Sequence, residues 1–170
     1  MTIRTLAVRA TLALALGASV ASCGFQLRGS GGQYTMPFHS IYLGFSETSP
    51  LGVELKRNLR AGSAVVVSSP KDADAQFDVI SEQRNKQILS LNSQGRVREY
   101  LLLYTLTFRV RDKDGGEILG PTEITLKRNL AFNESETLAR ESEEALLYRD
   151  MQNDLVQQIL RRLAAVKTKA

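Results

Sequence analysis

One cysteine and one histidine are the only side chains in this 170-residue chain suited to thiol or imidazole chemistry near neutral pH. Cys23 and His39 stand apart in the sequence, with no second imidazole or thiol for either to join. Zinc sites built on histidine and cysteine are therefore excluded, and a Ser–His or Cys–His nucleophile pair would have to take its base from His39. The paired acids offer no substitute. Asp72 and Asp74 are two positions apart and Glu143 and Glu144 are adjacent, spacings at which carboxylates on a helix do not face one another, so they read as solvated faces. The glycines at 29 to 32 and at 115 to 116 lack a following Lys-Ser or a dinucleotide pattern, and read as linker and turn. No catalytic residue, metal or cofactor is expected, and the chain is not read as an enzyme.

The chemistry that remains is acylation of Cys23. Arg4 and Arg9 precede an apolar run from Ala10 to Val20, and Val20-Ala21-Ser22-Cys23 has the layout of a lipobox at the end of a bacterial secretory signal. The apolar run falls short of the roughly 20 residues a spanning helix needs. Residues 1–22 are thus expected to be cut off, and Cys23 to become the lipidated first residue. A sole cysteine can form no internal disulfide, and lipidation removes the liability of a free thiol in an oxidising compartment. Gly24 follows it, and by the usual bacterial sorting rule a residue other than aspartate sends the lipoprotein to the outer membrane. Without Arg4 and Arg9 the 22 basic residues fall to 20 against 18 acids, a net charge of +2. So even a balance argues against a nucleic-acid partner. The remaining chain, about 148 residues, suits one domain. It divides into a lipidated N-terminus and tether, residues 23–35, with the flexible Gly29-Ser30-Gly31-Gly32, and a single domain over residues 36–166.

The elements of that domain are legible as periods. Ile41, Leu43 and Phe45 alternate with Ser40, Tyr42 and Gly44, which predicts a half-buried strand over 38–45. Ser49-Pro50 supplies an N-cap and a first-turn proline, and Leu51, Leu55 and Leu59 follow at helical spacing. A helix is expected over 50–61, with Lys56, Arg57 and Arg60 near its negative end and Gly62 as a left-handed stop. Ala64 to Val67 reads as a well-buried short strand and Ser68 to Ala75 as a loop. Phe77 to Leu91 alternates imperfectly around Glu82 to Lys86, as an edge strand protected by charge would. After a turn at 92–95, Tyr104, Leu106, Phe108 and Val110 oppose Leu103, Thr105, Thr107, Arg109 and Arg111. Asp114-Gly115-Gly116 closes a hairpin, and the return strand carries Ile124, Leu126, Leu130 and Phe132, with Pro121 marking an edge or bulge. Leu147, Met151, Leu155, Ile159 and Leu163 then repeat every four residues, with Leu146, Val156 and Leu160 widening the stripe of a closing helix. The order predicts an α+β fold, two helices on one face of a four- or five-stranded mixed sheet.

Three stretches carry a family resemblance. Cys23-Gly24-Phe25-Gln26-Leu27-Arg28-Gly29 resembles the mature start of the LptE family of lipopolysaccharide-assembly lipoproteins. Gln94 to Tyr100 and the closing helix from Leu146 to Leu163 resemble it in order and position, and the similarity runs from Cys23 to about Leu163. It implies a non-enzymatic protein lodged in the LptD barrel as a one-to-one plug and assembly partner, which contacts lipopolysaccharide on its way to the cell surface. It also implies two basic contacts with lipopolysaccharide. The one early in the last helix falls on Arg149; the one in the turn before Glu99-Tyr100 falls on Ser93, with Arg96 or Arg98 to stand in for it. The rival reading is a periplasm-facing lipoprotein that binds a small ligand or inhibits a protein, for which a deep apolar pocket would be needed.

Overall fold

The computed structural model describes residues 34–131 and 137–166. Five strands form one mixed sheet: β1 (Ser40–Gly44), β2 (Val65–Val67), β3 (Ala75–Leu91), β4 (Val97–Asp112) and β5 (Glu117–Ala131), in the order β2-β1-β3-β4-β5. The helices are α1 (Pro50–Arg60) and α2 (Thr137–Ala165). The predicted α+β class is therefore met, with five strands rather than four.

Parallel and antiparallel pairing divide the sheet. β1 runs parallel to β2 and to the first four residues of β3, with Ile41 beside Val66 and Ala75. Parallel neighbours need a crossover, and α1 supplies the one between β1 and β2. β3, β4 and β5 are antiparallel neighbours joined by tight turns. Each of these strands is 15 to 17 residues long. At about 3.3 Å per residue β3 is some 55 Å from end to end, far longer than β1 can accompany.

The two hairpin turns use the same device. The amide of Gly95 donates to the Asn92 carbonyl, and that of Gly115 to the Asp112 carbonyl, with φ of +76° and +85° at the two glycines. Oδ1 of Asn92 accepts from the amides of Gln94 and Arg96, and Oδ1 of Asp112 from those of Asp114 and Gly116. A side chain that mimics a turn carbonyl and a glycine that tolerates positive φ close both loops.

One face of the sheet carries the core. Phe77, Leu102, Tyr104, Leu106, Phe108 and Val110 pack there with Leu51, Leu55 and Leu59 of α1 and with Met151, Leu155, Ile159 and Leu163 of α2. Rings of Phe45, Phe77 and Phe108 stack in a row, their centroids 5.4 and 4.6 Å apart. Ser49 caps α1 as expected, its hydroxyl accepting from the Gly52 amide at 3.1 Å.

Four local expectations are corrected. β2 is an edge strand, and Val65 is 50% exposed, because β1 is its sole strand neighbour. Gly62 is not in the left-handed region; α1 ends on Ala61 in right-handed geometry, whose amide donates to the Arg57 carbonyl. The stretch from Ser68 to Ala75 contains a short 3₁₀ turn at Pro70–Asp72 and the first residue of β3. Leu146 is 56% exposed, off the buried stripe of α2. β3 is an edge only beyond Asp78, where its pairing with β1 stops. At Pro121 both halves of the expectation hold. β5 is an edge strand, and Gly120 and Pro121 lie opposite the single residue Arg109 where the register shifts. Phe132 lies outside the described residues.

Candidate functional site

Two surfaces of the sheet differ in what they can do. On the helix-covered face the core ends partway along the hairpins, and β3 continues with Glu82, Arg84 and Lys86 opposite Leu106, Tyr104 and Leu102. This explains the broken alternation in the sequence. The N-terminal half of α2 covers these groups through polar contacts. Tyr104 donates its hydroxyl to Glu82 Oε1 at 2.6 Å and accepts from Arg84 Nη2 at 3.1 Å; Lys86 Nζ pairs with Glu144 Oε2 at 2.5 Å. Arg84 lies 4.5 Å from the centre of the Tyr104 ring and 5.5 Å from that of Tyr148, and Lys86 4.4 Å from that of Tyr100. Burial, with the Glu82 carboxylate beside it, pushes the Tyr104 phenol up to about 12. Tyr148 donates its hydroxyl to the Asn85 carbonyl and Gln152 its amide to the Pro50 carbonyl, which pins α2 to β3 and α1.

Among the described residues no helix covers the opposite face. Thr105 and Thr125 share a hydrogen bond across β4 and β5 there, flanked by Ser81, Gln83, Asn85 and Lys127 in register. Arg109 and Arg111 belong to this face, and both are committed. Asp78 Oδ2 accepts from Arg109 Nε at 3.0 Å and from Arg111 Nε at 2.6 Å, and Oδ1 from Arg111 Nη2. The hydrogen bond from Arg111, then that from Arg109, holds the Asp78 carboxyl below its ordinary value against the opposing effect of burial. Opposite charges equidistant from the Asn92 turn were the available signal for this cluster.

The three arginines singled out for lipopolysaccharide lie at two places. Arg149 is exposed on the outer side of α2, next to Tyr148. Arg96 closes the β3–β4 turn, and Arg98 is the extra residue of β4 where the pairing steps from Ser90–Glu99 to Leu91–Val97. Tyr148 meets β3 at Asn85, and the turn begins seven residues farther along that strand, so about 20 Å of strand lies between that contact and the turn. Sequence reasoning did not single out the exposed aliphatic residues of the hairpin end that holds Arg96 and Arg98: Ile88, Leu89 and Leu91 are 60%, 45% and 55% exposed there. The adjacent pair Ile88-Leu89, which breaks strand alternation, was the signal.

A cleft of about 590 Å³ lies at the other end of the hairpins, lined by Phe38, His39, Asp74, Asp112, Lys113 and Glu117 among others. Ser40 occupies the Asp74 carboxylate with its amide and its hydroxyl, both at 2.9 Å, and these bonds hold the Asp74 carboxyl below its ordinary value. Among the described residues no group of three histidine, cysteine, aspartate or glutamate side chains could hold a metal ion. A lining this rich in charge differs from the apolar pocket that the small-ligand reading needs.

A family model described as LptE, lipopolysaccharide-assembly, matches residues 38–163. The LPS-assembly lipoprotein LptE of Pectobacterium atrosepticum is 27% identical over 159 residues, covering 92% of this chain and 85% of that protein. Its counterpart in Yersinia enterocolitica is 29% identical over 161 residues, covering 91% of this chain and 76% of that protein. Among solved structures, the solution structure of an uncharacterized lipoprotein B from Nitrosomonas europaea superposes with a TM-score of 0.71 at 38% identity, covering 84% of this chain and 91% of that one.

Proposed function

Since the chain belongs to the LptE family of lipopolysaccharide-assembly lipoproteins, which are not enzymes, we propose that it is the plug and assembly partner of the LptD barrel in a one-to-one complex. A role in lipopolysaccharide transport comes with the family. The finer reading is that the protein binds lipopolysaccharide through Arg149 and through Arg96 or Arg98, and helps it enter the outer leaflet. Residues 1–22 are removed, and acylated Cys23 anchors the domain to the periplasmic side of the outer membrane.

One observation carries the barrel reading: on the face of the long β3–β4–β5 sheet opposite the helices, threonine, serine, amide and paired charged groups surround the half-buried Leu101 and Leu103, with no described helix upon it. A water-exposed sheet face is ordinary in an antiparallel sheet. Here it is also the surface a polar barrel lumen would accept, since the interiors of large outer-membrane barrels are polar. Arg109 and Arg111 contribute to it as a pair held by the one Asp78 carboxylate, which offsets only one of their two charges. For the glycolipid, arginine's planar fork suits the phosphates and carboxylates of lipid A and the inner core.

The test has two arms. Co-expression with a tagged LptD should recover the chain in equal amounts with the barrel, and recovery of LptD alone would overturn the plug assignment. In the second arm, lipopolysaccharide binding is titrated over a salt series for the parent, Arg149→Glu, and the Arg96→Glu, Arg98→Glu pair. Both variants should bind more weakly at low salt and converge with the parent as screening grows. Equal affinity at low salt in folded variants would return these arginines to ordinary surface.

A further inference from the structure

We propose that the end of the β3–β4 hairpin is a two-part subsite for an acylated, phosphorylated glycolipid, in which Ile88, Leu89 and Leu91 receive acyl chain while Arg96 and Arg98 receive the anionic head. The proposal rests on the lipopolysaccharide-binding reading above and adds the acyl contact to it.

Three exposed aliphatic side chains within four residues are more than scattered surface apolarity. They are also not a strand end awaiting another strand. The β3 ladder shifts register between Ile88 and Ser90, leaving Leu89 as an unpaired extra residue, and shifts again on β4 at Arg98. Two bulges so close together bend and twist the hairpin end, re-aim its side chains and interrupt the regular edge that strand addition by a second copy would need. Charge selects among the remaining occupants. Arg96 and Arg98 are both exposed, and Arg98 makes no side-chain hydrogen bond or ion pair among the described residues. The neighbouring acid, Glu99, accepts from the Ser90 hydroxyl at 2.7 Å, so a local hydrogen bond already engages it. Leu91 is paired with Val97, one residue from each arginine, so apolar and cationic groups are within a single strand spacing. A ligand that satisfies both must carry anion and hydrocarbon close together. Arg149 repeats the combination on α2, with exposed Leu146 one helical turn before it.

The experiment uses the full chain in detergent, so that the N-terminal segment is common to every sample. Parent, the Ile88→Ser, Leu89→Ser, Leu91→Ser triple variant, the single Leu89→Ser variant, and the Arg96→Glu, Arg98→Glu pair are titrated with two probes. One is intact lipopolysaccharide; the other is the same molecule stripped of acyl chains, with its phosphates kept. The triple variant should lose at least about tenfold in affinity for the intact probe, and Leu89→Ser a smaller share, with no change toward the deacylated probe. The arginine pair should weaken both. Undiminished binding of intact lipopolysaccharide by the folded triple variant would overturn the acyl contact and leave the arginine reading standing. A parent that binds neither probe would overturn both. If the triple variant instead loses phosphatidylglycerol vesicles as strongly as lipopolysaccharide, the patch is a bilayer contact and the proposal falls. It also falls if the parent self-associates and the triple variant merely becomes monomeric.

Discussion

Asp78 shows how much one side chain decides on the open face. In sequence, Arg109 and Arg111 look like outward cations available to a partner; in the structure a single carboxylate bonds both. Because the two guanidinium groups hold that carboxyl below its ordinary value of 3.8, the unfolded chain binds more protons than the folded one between the folded value and 3.8. Stability from the pairing is therefore whole above about pH 4 and is lost as pH falls through the folded value. Asp78→Asn should lower stability at neutral pH and flatten the acid limb. Denaturant titrations from pH 7 down to about 2 measure both, and an acid limb parallel to the parent's would show that this carboxylate does not carry it. Arg98 is the contrasting case. It has the same chemistry as Arg111 but occupies a bulge with no acid paired across from it, so no cross-strand carboxylate holds it as Asp78 holds Arg109 and Arg111.

At the scale of the element, α1 couples sequence to packing most tightly. Its cap, its Leu51, Leu55 and Leu59 stripe and its basic last turn are all properties of the local sequence, and all appear in the structure. Gly52 is different. Helix propensity alone says that alanine there should stabilise, by up to about 1 kcal/mol. A Cβ at Gly52 would come within 2.6 Å of Phe45 Cβ and 2.8 Å of its Cγ, with Phe45 itself stacked on Phe77. Overpacking of that kind costs about 1–3 kcal/mol. Gly52→Ala should thus be a net destabiliser, seen as a lower denaturation midpoint with an unchanged slope; a raised midpoint would mean that Phe45 moves aside freely. The missing left-handed stop at Gly62 teaches the same lesson in reverse, since the helix reached a right-handed end one residue earlier at Ala61. In α2 the stripe from Met151 to Leu163 was legible because it meets one continuous core, whereas Leu146 lies beyond it, where α2 covers the hairpins through Tyr148, Glu144 and Gln152.

For the whole molecule, the anchor and the domain should be separable in function. Cys23→Ala should abolish acylation and release the protein from the outer-membrane pellet in cells depleted of LptD, while the domain keeps its thermal stability. A lipidated cysteine carries several chains, and a single chain would hold only marginally. A variant that still pelleted with the membrane under that depletion would overturn the lipid anchor. Periodicity, caps and turn residues in the sequence were enough for the class of fold, both helices and the long hairpins, because each reports on backbone preference or on the single face a residue presents. What lies beside that face is set by partners distant in the chain. Pairing with β1 alone made β2 an edge, and the end of β1 at Gly44 left β3 beyond Asp78 unpaired on one side. Register across the hairpins brought Asp78 to Arg109 and Arg111, and two register shifts gathered Leu89 and Arg98 at one exposed end. Those are long-range choices among many pairings with similar local preference, so tertiary structure alone decided that Arg109 and Arg111 are bonded within the fold.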